Sequence, residues 1–320
     1  MRICTITCSY ADNQGALLQT YALARHLQKE GHEVQVIDYR PGYISYNPRL
    51  WYVPRSPKAL GKLWLQYPER KRARKAHLAF SEFARKYIPL TEKVYYHVKD
   101  LRQSPPEADL YLAGSDQIWN TDLPNGTDPA FYLDFGPASV RRESYAASFG
   151  TSRLKPGTEN LVRDLLSRFD RITVRESSGL RILESLGLEG ELLDDPVFLL
   201  SAGEWEAIAD GTGEGEGYVL VYDFFADPAI RRKARERAGR ENLKILSAGP
   251  FRYRYADRDF GASGPETFVS LVKNANAVVT NSFHAVAFSL IFGKEFVFVP
   301  RPDGLNDRIE DLLRRRGIRL

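Results

Sequence analysis

The chain has 320 residues, a length typical of about two domains. Hydrophobic residues make up 43% and charged residues 27%, which is typical of a globular protein and argues against a disordered one. The formal net charge of +4 is too small to indicate nucleic-acid binding by itself. No apolar run reaches the roughly 18 residues that a membrane-spanning helix needs.

The first forty residues are predicted to form a strand, a helix and a second strand. RICTITC and EVQVIDY are short apolar strands, and between them ALLQTYALARHLQKE repeats apolar positions at helical spacing and ends before Gly31. Strands that alternate with helices in this way indicate a parallel sheet with right-handed crossovers.

Residues 43–105 interrupt this alternation, and we interpret them as an insertion. The segment 43–57 is rich in Tyr, Trp, Pro and Arg, and a basic helix or helix pair is predicted over about 58–86. Insertions of this size often carry partner contacts or a substrate lid. The aromatic and basic residues of Trp51–Lys75 favour contact with a membrane surface or a phosphorylated lipid carrier, although a solvated helix face would look the same.

The alternation resumes with ADLYLAG at 108–114 and begins a second series with YVLVYDF at 218–224. The helix 283–292, the strand EFVFVP and an amphipathic helix close the chain. The fold class predicted is α/β, with two Rossmann-like domains facing each other across a cleft in the glycosyltransferase-B-like arrangement. We place the domains at 1–196 and 197–320.

The sequence TNSFHA at 280–285 follows the predicted strand AVVT, and ligands of open α/β sheets bind beyond such strand ends. Asn281 or Ser282 can cap the next helix, which puts His284 in its first turn, where free N–H groups and the helix dipole favour an anion. A bound anion would in turn favour the protonated ring, so His284 is a candidate acid. A histidine hydrogen-bonded into the helix cap is the equally ordinary alternative.

A second polar loop, AGSDQIWN at 113–120, also follows a predicted strand. Asp116, Trp119 and Asn120 together suit a sugar, since carboxylate and amide groups bind hydroxyls and an indole stacks on an apolar sugar face. An Asp-capped turn with Trp119 in the core fits equally well.

Two further places provide candidate ligand contacts. In SYADNQGALLQ, Gly15 allows a ligand to approach the helix N-terminus, with Asn13 and Gln14 beside it. Arg175 in VRESSG and Arg301 after the last strand could each hold a carboxylate or phosphate. An ion pair of Arg175 with a neighbouring acid such as Glu176 is the alternative.

Several kinds of site have no signature in the sequence. The histidines and the two cysteines show no metal-ligand spacing, and we find no DxD pair at a strand end, no P-loop and no nucleophile elbow. We therefore expect metal-independent chemistry. The N-terminus is too short and polar for a signal peptide, and we predict a cytoplasmic protein, with the inner membrane surface as an alternative place.

Taken in order, NQGALLQTYAL, LAGSDQIWN, YAASFG, VRESSGLRILESLG with DDPVFLL, and TNSFHAVAFSLIFGKEFVFV resemble the polysaccharide pyruvyl transferase family. The resemblance runs from residue 1 to about 315 and is weakest over 43–105. It implies transfer of an enolpyruvyl group from phosphoenolpyruvate to a sugar of a polysaccharide or its lipid-linked precursor, giving a pyruvate ketal. Phosphoenolpyruvate is then a co-substrate and no cofactor is expected.

The resemblance also assigns roles. His284 matches the family's histidine in the last strand–helix turn, the general acid, and Arg175 matches its VR-acid motif. Family members often carry an arginine two residues before the histidine, where this chain has Ser282, so Arg175 or Arg301 would supply the missing charge. Asp116 is the candidate base.

With these roles the first domain is expected to bind the acceptor and the second domain the donor. The expected acceptor contacts are Asn13, Gln14, Gly15, Trp119 and Asn120, and the donor contacts are Arg175, Arg301, Asn281 and Ser282. Two other interpretations remain open at this point. One is a glycosyltransferase-B enzyme that uses a nucleotide sugar, with Glu310 or Asp311 on the ribose, and the other is a non-catalytic sugar-binding protein of the same fold.

Overall fold

Two parallel β-sheets form the centre of the protein in the computed structural model, which describes residues 1–45 and 67–318. The strands of the first sheet are β1 (Arg2–Ile6), β2 (Glu33–Tyr39), β3 (Leu90–Tyr95), β4 (Leu110–Ala113) and β5 (Arg141–Ser144), with β6 (Thr173–Val174) and β7 (Glu191–Leu192) as a short pair beside β5. The strands of the second sheet are β8 (Tyr218–Tyr222), β9 (Lys244–Ser247), β10 (Arg258–Asp259), β11 (Ala277–Thr280) and β12 (Glu295–Phe298). We call the part built on β1–β7 the first lobe and the part built on β8–β12 the second lobe.

The helices cover the sheets and connect successive strands. They are α1 (Gln14–Lys29), α2 (Gly42–Ser45), α3 (Tyr67–Tyr87), α4 (Val98–Gln103), α5 (Glu159–Leu166), α6 (Ser177–Ser185), α7 (Ala202–Glu206), α8 (Pro228–Glu241), α9 (Pro265–Asn274), α10 (Phe283–Ile291) and α11 (Asp307–Arg315). None of the helices in the described part of the chain is both long and apolar enough to cross a bilayer.

Both sheets have the same doubly wound order. The first runs β3-β2-β1-β4-β5 and the second β10-β9-β8-β11-β12, and every pairing is parallel. The central strands β4, β8 and β11 are buried along their whole length, because helices cover both faces of a parallel sheet. The predicted fold class of two Rossmann-like domains is confirmed.

The doubly wound order also fixes where a ligand can bind. The order reverses between β1 and β4 in the first sheet and between β8 and β11 in the second, and such switch points open a crevice at the carboxyl ends of the strands. The loops after these four strands are the ones that carry most of the candidate residues.

The interpretation of residues 43–105 as an insertion is corrected in part. Residues 67–103 belong to the first lobe: α3 is the crossover from β2, and β3 pairs with β2 at the edge of the sheet. The strand was missed because LTEKVY carries two charged residues, which an edge strand tolerates on its solvent side. Of the predicted carrier-contact segment Trp51–Lys75, residues 51–66 lie outside the described part of the chain.

The two lobes are packed together rather than loosely tethered. One apolar cluster contains Leu18 and Phe83 of the first lobe and Val286 and Phe288 of the second, all buried. Arg72 of the basic helix α3 reaches the second lobe, where it forms an ion pair with Asp259 at 3.1 Å. Part of the basic helix therefore joins the lobes.

The C-terminal helix α11 crosses back from the second lobe to the first. Asp311 accepts a hydrogen bond from Ser177 Oγ at 2.7 Å, and Arg315 pairs with Asp194 at 2.5 Å. The predicted domain boundary at 196/197 falls in the short 3₁₀ turn Pro196–Leu199, which packs against α1. Residues 307–315 thus contribute to both lobes.

Candidate functional site

A cleft of about 420 Å³ lies between the lobes, at the carboxyl ends of both sheets. The first lobe contributes the loops after β1 and β4, including Asn13 and Asp116, and the second lobe contributes the loops after β8, β11 and β12. His284, Ser282 and Arg301 line it, and so does Arg308 of α11. Most of the predicted catalytic and donor contacts therefore meet in one place.

His284 lies in the first turn of α10, with Ser282 as the N-cap. The Ser282 hydroxyl accepts a hydrogen bond from the backbone N–H of Ala285 at 3.5 Å, and the His284 side chain is 10% exposed. The ring reaches across the cleft and packs on Gly15 at the N-terminus of α1. A Cβ atom at position 15 would lie 1.9 Å from His284 Nδ1, so only glycine leaves room for the ring.

The carboxylate of Asp195 lies next to the His284 imidazole. This carboxylate follows β7, is fully buried, and places Oδ2 3.6 Å from His284 Nε2, a close electrostatic contact slightly longer than a hydrogen bond. Its Oδ1 accepts from the Val197 N–H at 3.1 Å. Burial by itself raises the pKa of Asp195, but Arg175 and the His284 ring outweigh it and hold the pKa below its ordinary value. Asp195 is therefore ionised and can stabilise positive charge on His284.

The structure corrects the placement of Arg175, which does not line the cleft. Its guanidinium is 1% exposed and donates to Asp195, and it lies 3.7 Å from Asp116 and 3.8 Å from Glu176. Burial alone would lower the pKa of Arg175, but these carboxylates raise it above its ordinary value. The alternative of an ion pair with neighbouring acids is the observed one, and Arg175 holds Asp195 in place.

Glu176, next to Arg175, anchors the loop after β5. It is buried and accepts from Ser148 Oγ at 2.9 Å and from the Phe149 N–H at 3.0 Å. Burial raises its pKa above the ordinary value, although Arg175 and Arg308 act in the opposite direction. The YAASFG and VRES motifs thus meet in one polar cluster beneath the cleft.

Asp116 borders the cleft from the first lobe. Its backbone adopts the left-handed conformation, with φ of 78°, and its carbonyl accepts from the Ser148 N–H at 3.0 Å. This turn leaves the carboxylate partly exposed, at 19%, beside the cleft. The position suits a base that meets an incoming hydroxyl group.

Asn13 and Gln14 have different surroundings. Asn13 lines the cleft and caps α1, accepting from the Ala16 N–H at 3.2 Å. Gln14 is buried and donates to the Ser263 carbonyl at 3.2 Å, a contact between the lobes, so it lies away from the cleft. The structure corrects Gln14 from an acceptor contact to an interlobe contact.

Trp119 and Asn120 are also corrected, because neither lines the cleft. The indole is fully buried, stacks on Tyr132, and donates its N–H to the Phe131 carbonyl at 3.0 Å. Asn120 is buried, and its side-chain oxygen accepts from the Asp122 N–H within its own loop at 3.0 Å. Trp119 is thus a core residue, as the alternative interpretation had it, and Asn120 stabilises its own loop.

Asn281 and Arg301 remain at the second-lobe side of the cleft. The Asn281 amide accepts from the Phe224 N–H at 3.1 Å and donates to Asp223 at 2.7 Å, which fixes the loop after β8. Arg301 lies over the Phe225 ring at 4.9 Å and forms a two-point ion pair with Asp303 at 3.0 and 2.5 Å. Arg301 therefore borders the cleft with part of its charge already compensated.

Two residues of the site were not found from the sequence. Asp195 belongs to the DDPVFLL motif, but nothing in its spacing shows that it meets a histidine 89 positions later. Arg308 is one of several arginines in the amphipathic C-terminal helix, yet it is only 8% exposed and borders the cleft. In the amide orientation that satisfies its neighbours, the Gln117 oxygen accepts from Arg308 Nη1 at 3.0 Å and from Nη2 at 2.9 Å.

The two doubly wound sheets and the cleft between them define a glycosyltransferase-B-like α/β protein. The chain belongs to the polysaccharide pyruvyl transferase family, whose model matches residues 13–303. This confirms the resemblance found in the sequence and supports a transferase of polysaccharide biosynthesis. No curated protein matches the chain in direct sequence comparison.

The chain is similar to several solved structures, which include two epimerases and a glycosyltransferase. A putative UDP-N-acetylglucosamine 2-epimerase from Listeria monocytogenes superposes with a TM-score of 0.51 at 9% identity, over 99% of this chain and 88% of that one. UDP-GlcNAc 2-epimerase from Neisseria meningitidis gives 0.49 at 11% identity, over 99% and 92%. Glycosyltransferase SsfS6 from Streptomyces sp. SF2575 gives 0.43 at 15% identity, over 99% and 86%. At 9% identity, the likeness to the Listeria structure bears on the fold alone.

Proposed function

We propose that the protein transfers a pyruvyl group from phosphoenolpyruvate to two hydroxyls of a sugar, forming a pyruvate ketal, with His284 as the general acid. The observation that carries the proposal is the position of His284. Its imidazole stands at a helix N-terminus, in a cleft that it shares with guanidinium groups, and an ionised carboxylate lies 3.6 Å behind it. A proton donor beside an anion-binding surface suits a phosphorylated, carboxylated substrate.

The reaction begins with the transfer of a proton from the His284 imidazolium to the methylene carbon C3 of phosphoenolpyruvate. This leaves positive charge on C2, to which the first sugar hydroxyl adds while Asp116 accepts the hydroxyl proton. The C2–O bond to phosphate then breaks, and the proton held by Asp116 passes to the leaving phosphate. The second hydroxyl closes the ketal on C2 and returns its proton to His284, so that atoms and protons balance.

The residues around His284 have separate tasks in this scheme. Asp195 stabilises the imidazolium before proton transfer, and the α10 N-terminus with Arg301 stabilises the carboxylate and the departing phosphate electrostatically. The scheme assigns no task to a metal ion or a cofactor, and metal-independent chemistry stays a prediction. Asn13 and Asp116 face the acceptor from the first lobe.

The acceptor is proposed to be a sugar of a polysaccharide or of its lipid-linked precursor. Its hydroxyls would reach C2 from the first-lobe side of the cleft. Contact of Trp51–Lys75 with a lipid carrier stays a hypothesis, tested by deleting residues 51–66 and comparing activity on free and lipid-linked acceptors. Equal activity on the lipid-linked acceptor before and after the deletion would refute this hypothesis.

A nucleotide-sugar transferase is the second candidate function, and two doubly wound sheets that face one cleft are compatible with it. One of the two acids considered for ribose binding is engaged elsewhere. Asp311 is 6% exposed and bonds to Ser177 at 2.7 Å and to Arg315 at 3.2 Å.

The test is phosphate release from phosphoenolpyruvate across a panel of sugar acceptors, run beside release of nucleoside diphosphate from nucleotide sugars. We expect acceptor-dependent phosphate release from the wild type and a fall of about 10²- to 10⁴-fold in His284→Gln, the range for loss of a general acid. His32→Gln, a change at a less buried histidine remote from the cleft, should behave as the wild type. Acceptor-dependent nucleotide release without phosphate release would favour the nucleotide-sugar enzyme, and binding without turnover would favour a sugar-binding protein.

A further inference from the structure

We propose that Arg308 binds an oxyanion group of the donor and so supplies the guanidinium that the chain lacks at Ser282. This inference rests on the proposed function and assigns its donor contact. Arg308 lies in the first turn of α11, borders the cleft that contains His284, and is only 8% exposed.

The charge of Arg308 is not compensated within the described residues. Among residues 1–45 and 67–318, no carboxylate lies within 4 Å of its guanidinium and its Nε has no hydrogen-bond partner. Both of its Nη atoms donate to the neutral Gln117 oxygen. Burial, and after it the like charge of Arg175, lowers the pKa of Arg308 to about 10, while Glu176 and Asp116 act at longer range in the opposite direction. A buried, unpaired cation is costly to the fold.

Two other buried arginines differ in this respect. Arg175 has three carboxylates within 4 Å, and Arg237 is paired with Glu295 at 2.9 Å. Within the described ranges, Arg308 is the one of these three that contacts a neutral amide and no carboxylate, and it lies on the wall of the cleft. Unpaired buried charge of this kind is typical of sites whose missing partner is a ligand.

The geometry of the cleft agrees with an anion at Arg308. Phosphoenolpyruvate carries both a phosphate and a carboxylate, so it needs more than one cationic contact. Arg301 can supply one cationic contact, although its guanidinium is also paired with Asp303. The partial positive charge at the N-terminus of α10 can contribute to a second contact. The Ser282 hydroxyl is neutral and caps α10, whereas Arg308 reaches the same cleft from α11.

The experiment is a calorimetric titration of the full chain with phosphoenolpyruvate, inorganic phosphate and pyruvate, each as a separate ligand. Arg308→Met removes the charge, and Arg308→Lys keeps the charge but replaces the planar guanidinium with an ammonium group. Arg314→Met is the matched control. Arg314 lies on the same helix with its side chain 74% exposed. Thermal unfolding without ligand is recorded for every variant.

We expect Arg308→Met to weaken phosphoenolpyruvate binding by about 10- to 100-fold, the range for loss of a charge-assisted hydrogen bond, and Arg308→Lys to weaken it less. Arg314→Met should bind as the wild type. A parallel loss with inorganic phosphate assigns Arg308 to the phosphate group, and a parallel loss with pyruvate assigns it to the carboxylate. The unfolding midpoint of ligand-free Arg308→Met should be unchanged or higher, because the variant no longer buries an unpaired charge.

Two results would overturn the inference while leaving the proposed function intact. One is wild-type affinity for phosphoenolpyruvate in Arg308→Met, and the other is a lowered unfolding midpoint of that variant, which would show a structural role. A wild-type protein that neither binds phosphoenolpyruvate nor releases phosphate from it would instead refute the proposed function, and the inference with it.

Discussion

Two buried arginines beside the same cleft have opposite surroundings. Arg175, in the first lobe, has Asp195, Asp116 and Glu176 within 4 Å. Arg308, on the C-terminal helix, contacts the neutral Gln117 amide and, in the described part of the chain, has no carboxylate within 4 Å. Burial alone therefore does not identify a ligand-binding arginine. The difference lies in charge compensation, which separates a cation that holds the fold from one that is available to an anionic substrate.

The largest expected effect is the loss of stability on replacing Arg175, the arginine whose charge is compensated. Arg175→Met would leave Asp195 buried without its cation, with Asp116 and Glu176 close by. We expect it to lower the free energy of unfolding by about 3–5 kcal/mol, the cost of breaking a buried ion pair from one side. Urea denaturation should show this loss beside an unchanged or more stable Arg308→Met. Equal losses of unfolding free energy in the two variants would show that charge compensation does not distinguish Arg175 from Arg308.

The second prediction tests the contact that positions His284. In Gly15→Ala the new methyl group would overlap the imidazole, since the Cβ position is 1.9 Å from Nδ1. A displaced catalytic group costs about 100-fold in turnover, and we expect that loss in phosphate release.

The matched control for this change is Gly239→Ala in α8, where a Cβ atom would meet nothing within 4 Å. We expect full activity and a gain of about 0.5–1 kcal/mol in stability, because alanine favours a helix over glycine. Full activity of Gly15→Ala as well would show that the ring does not need its present position.

The third prediction concerns acid stability, where two buried carboxylates should act with opposite sign. The pKa of Asp195 is lowered in the folded state, so its contribution is present above its ordinary value near 3.8 and is lost as the pH falls below it. The pKa of Glu176 is raised, chiefly by burial, so its contribution is present below its ordinary value near 4.5 and is lost as the pH rises above it.

The measurement is the free energy of unfolding as a function of pH for the wild type, Asp195→Asn and Glu176→Gln. The profile of Asp195→Asn should be flatter than that of the wild type below about pH 4, and Glu176→Gln should lose less stability than the wild type as the pH rises through and above about pH 5. Profiles parallel to the wild type would show that neither carboxylate is coupled to folding.

The smallest effect is expected outside the cleft. Lys29 and Glu204 form an ion pair at 2.6 Å between α1 and α7, but their side chains are 45% and 34% exposed. Lys29→Met should change the free energy of unfolding by less than about 1 kcal/mol and leave phosphate release unchanged, since exposed pairs contribute little. A loss comparable with that of Arg175→Met would show that exposure is a poor guide to these energies.

The sequence predicted the fold class and the place of the site because both depend on local patterns. Alternating strands and helices indicated parallel sheets, and the carboxyl ends of such strands meet at one edge. The residues that the structure does bring to the cleft from those strand ends are Asn13, Asp116, Asn281, Ser282, His284 and Arg301.

The rest depends on contacts between distant segments. Sequence periodicity does not show that the Trp119 ring turns into the core, or that Arg175 meets Asp195 twenty positions away. Arg308 looks like one more charged residue on an amphipathic helix, and only the crossing of that helix back to the first lobe buries it. The strand β3 was not predicted, because its sequence includes two charged residues, which an edge strand tolerates.

The most direct test of His284 as the proton donor is the reaction of phosphoenolpyruvate with an active sugar acceptor in deuterium oxide. We predict one solvent-derived deuterium in the methyl group of the ketal and one phosphate released per ketal formed, with both products reduced together in His284→Gln. A ketal methyl group without solvent deuterium, or product formation undiminished in His284→Gln, would contradict proton delivery to C3 by this histidine.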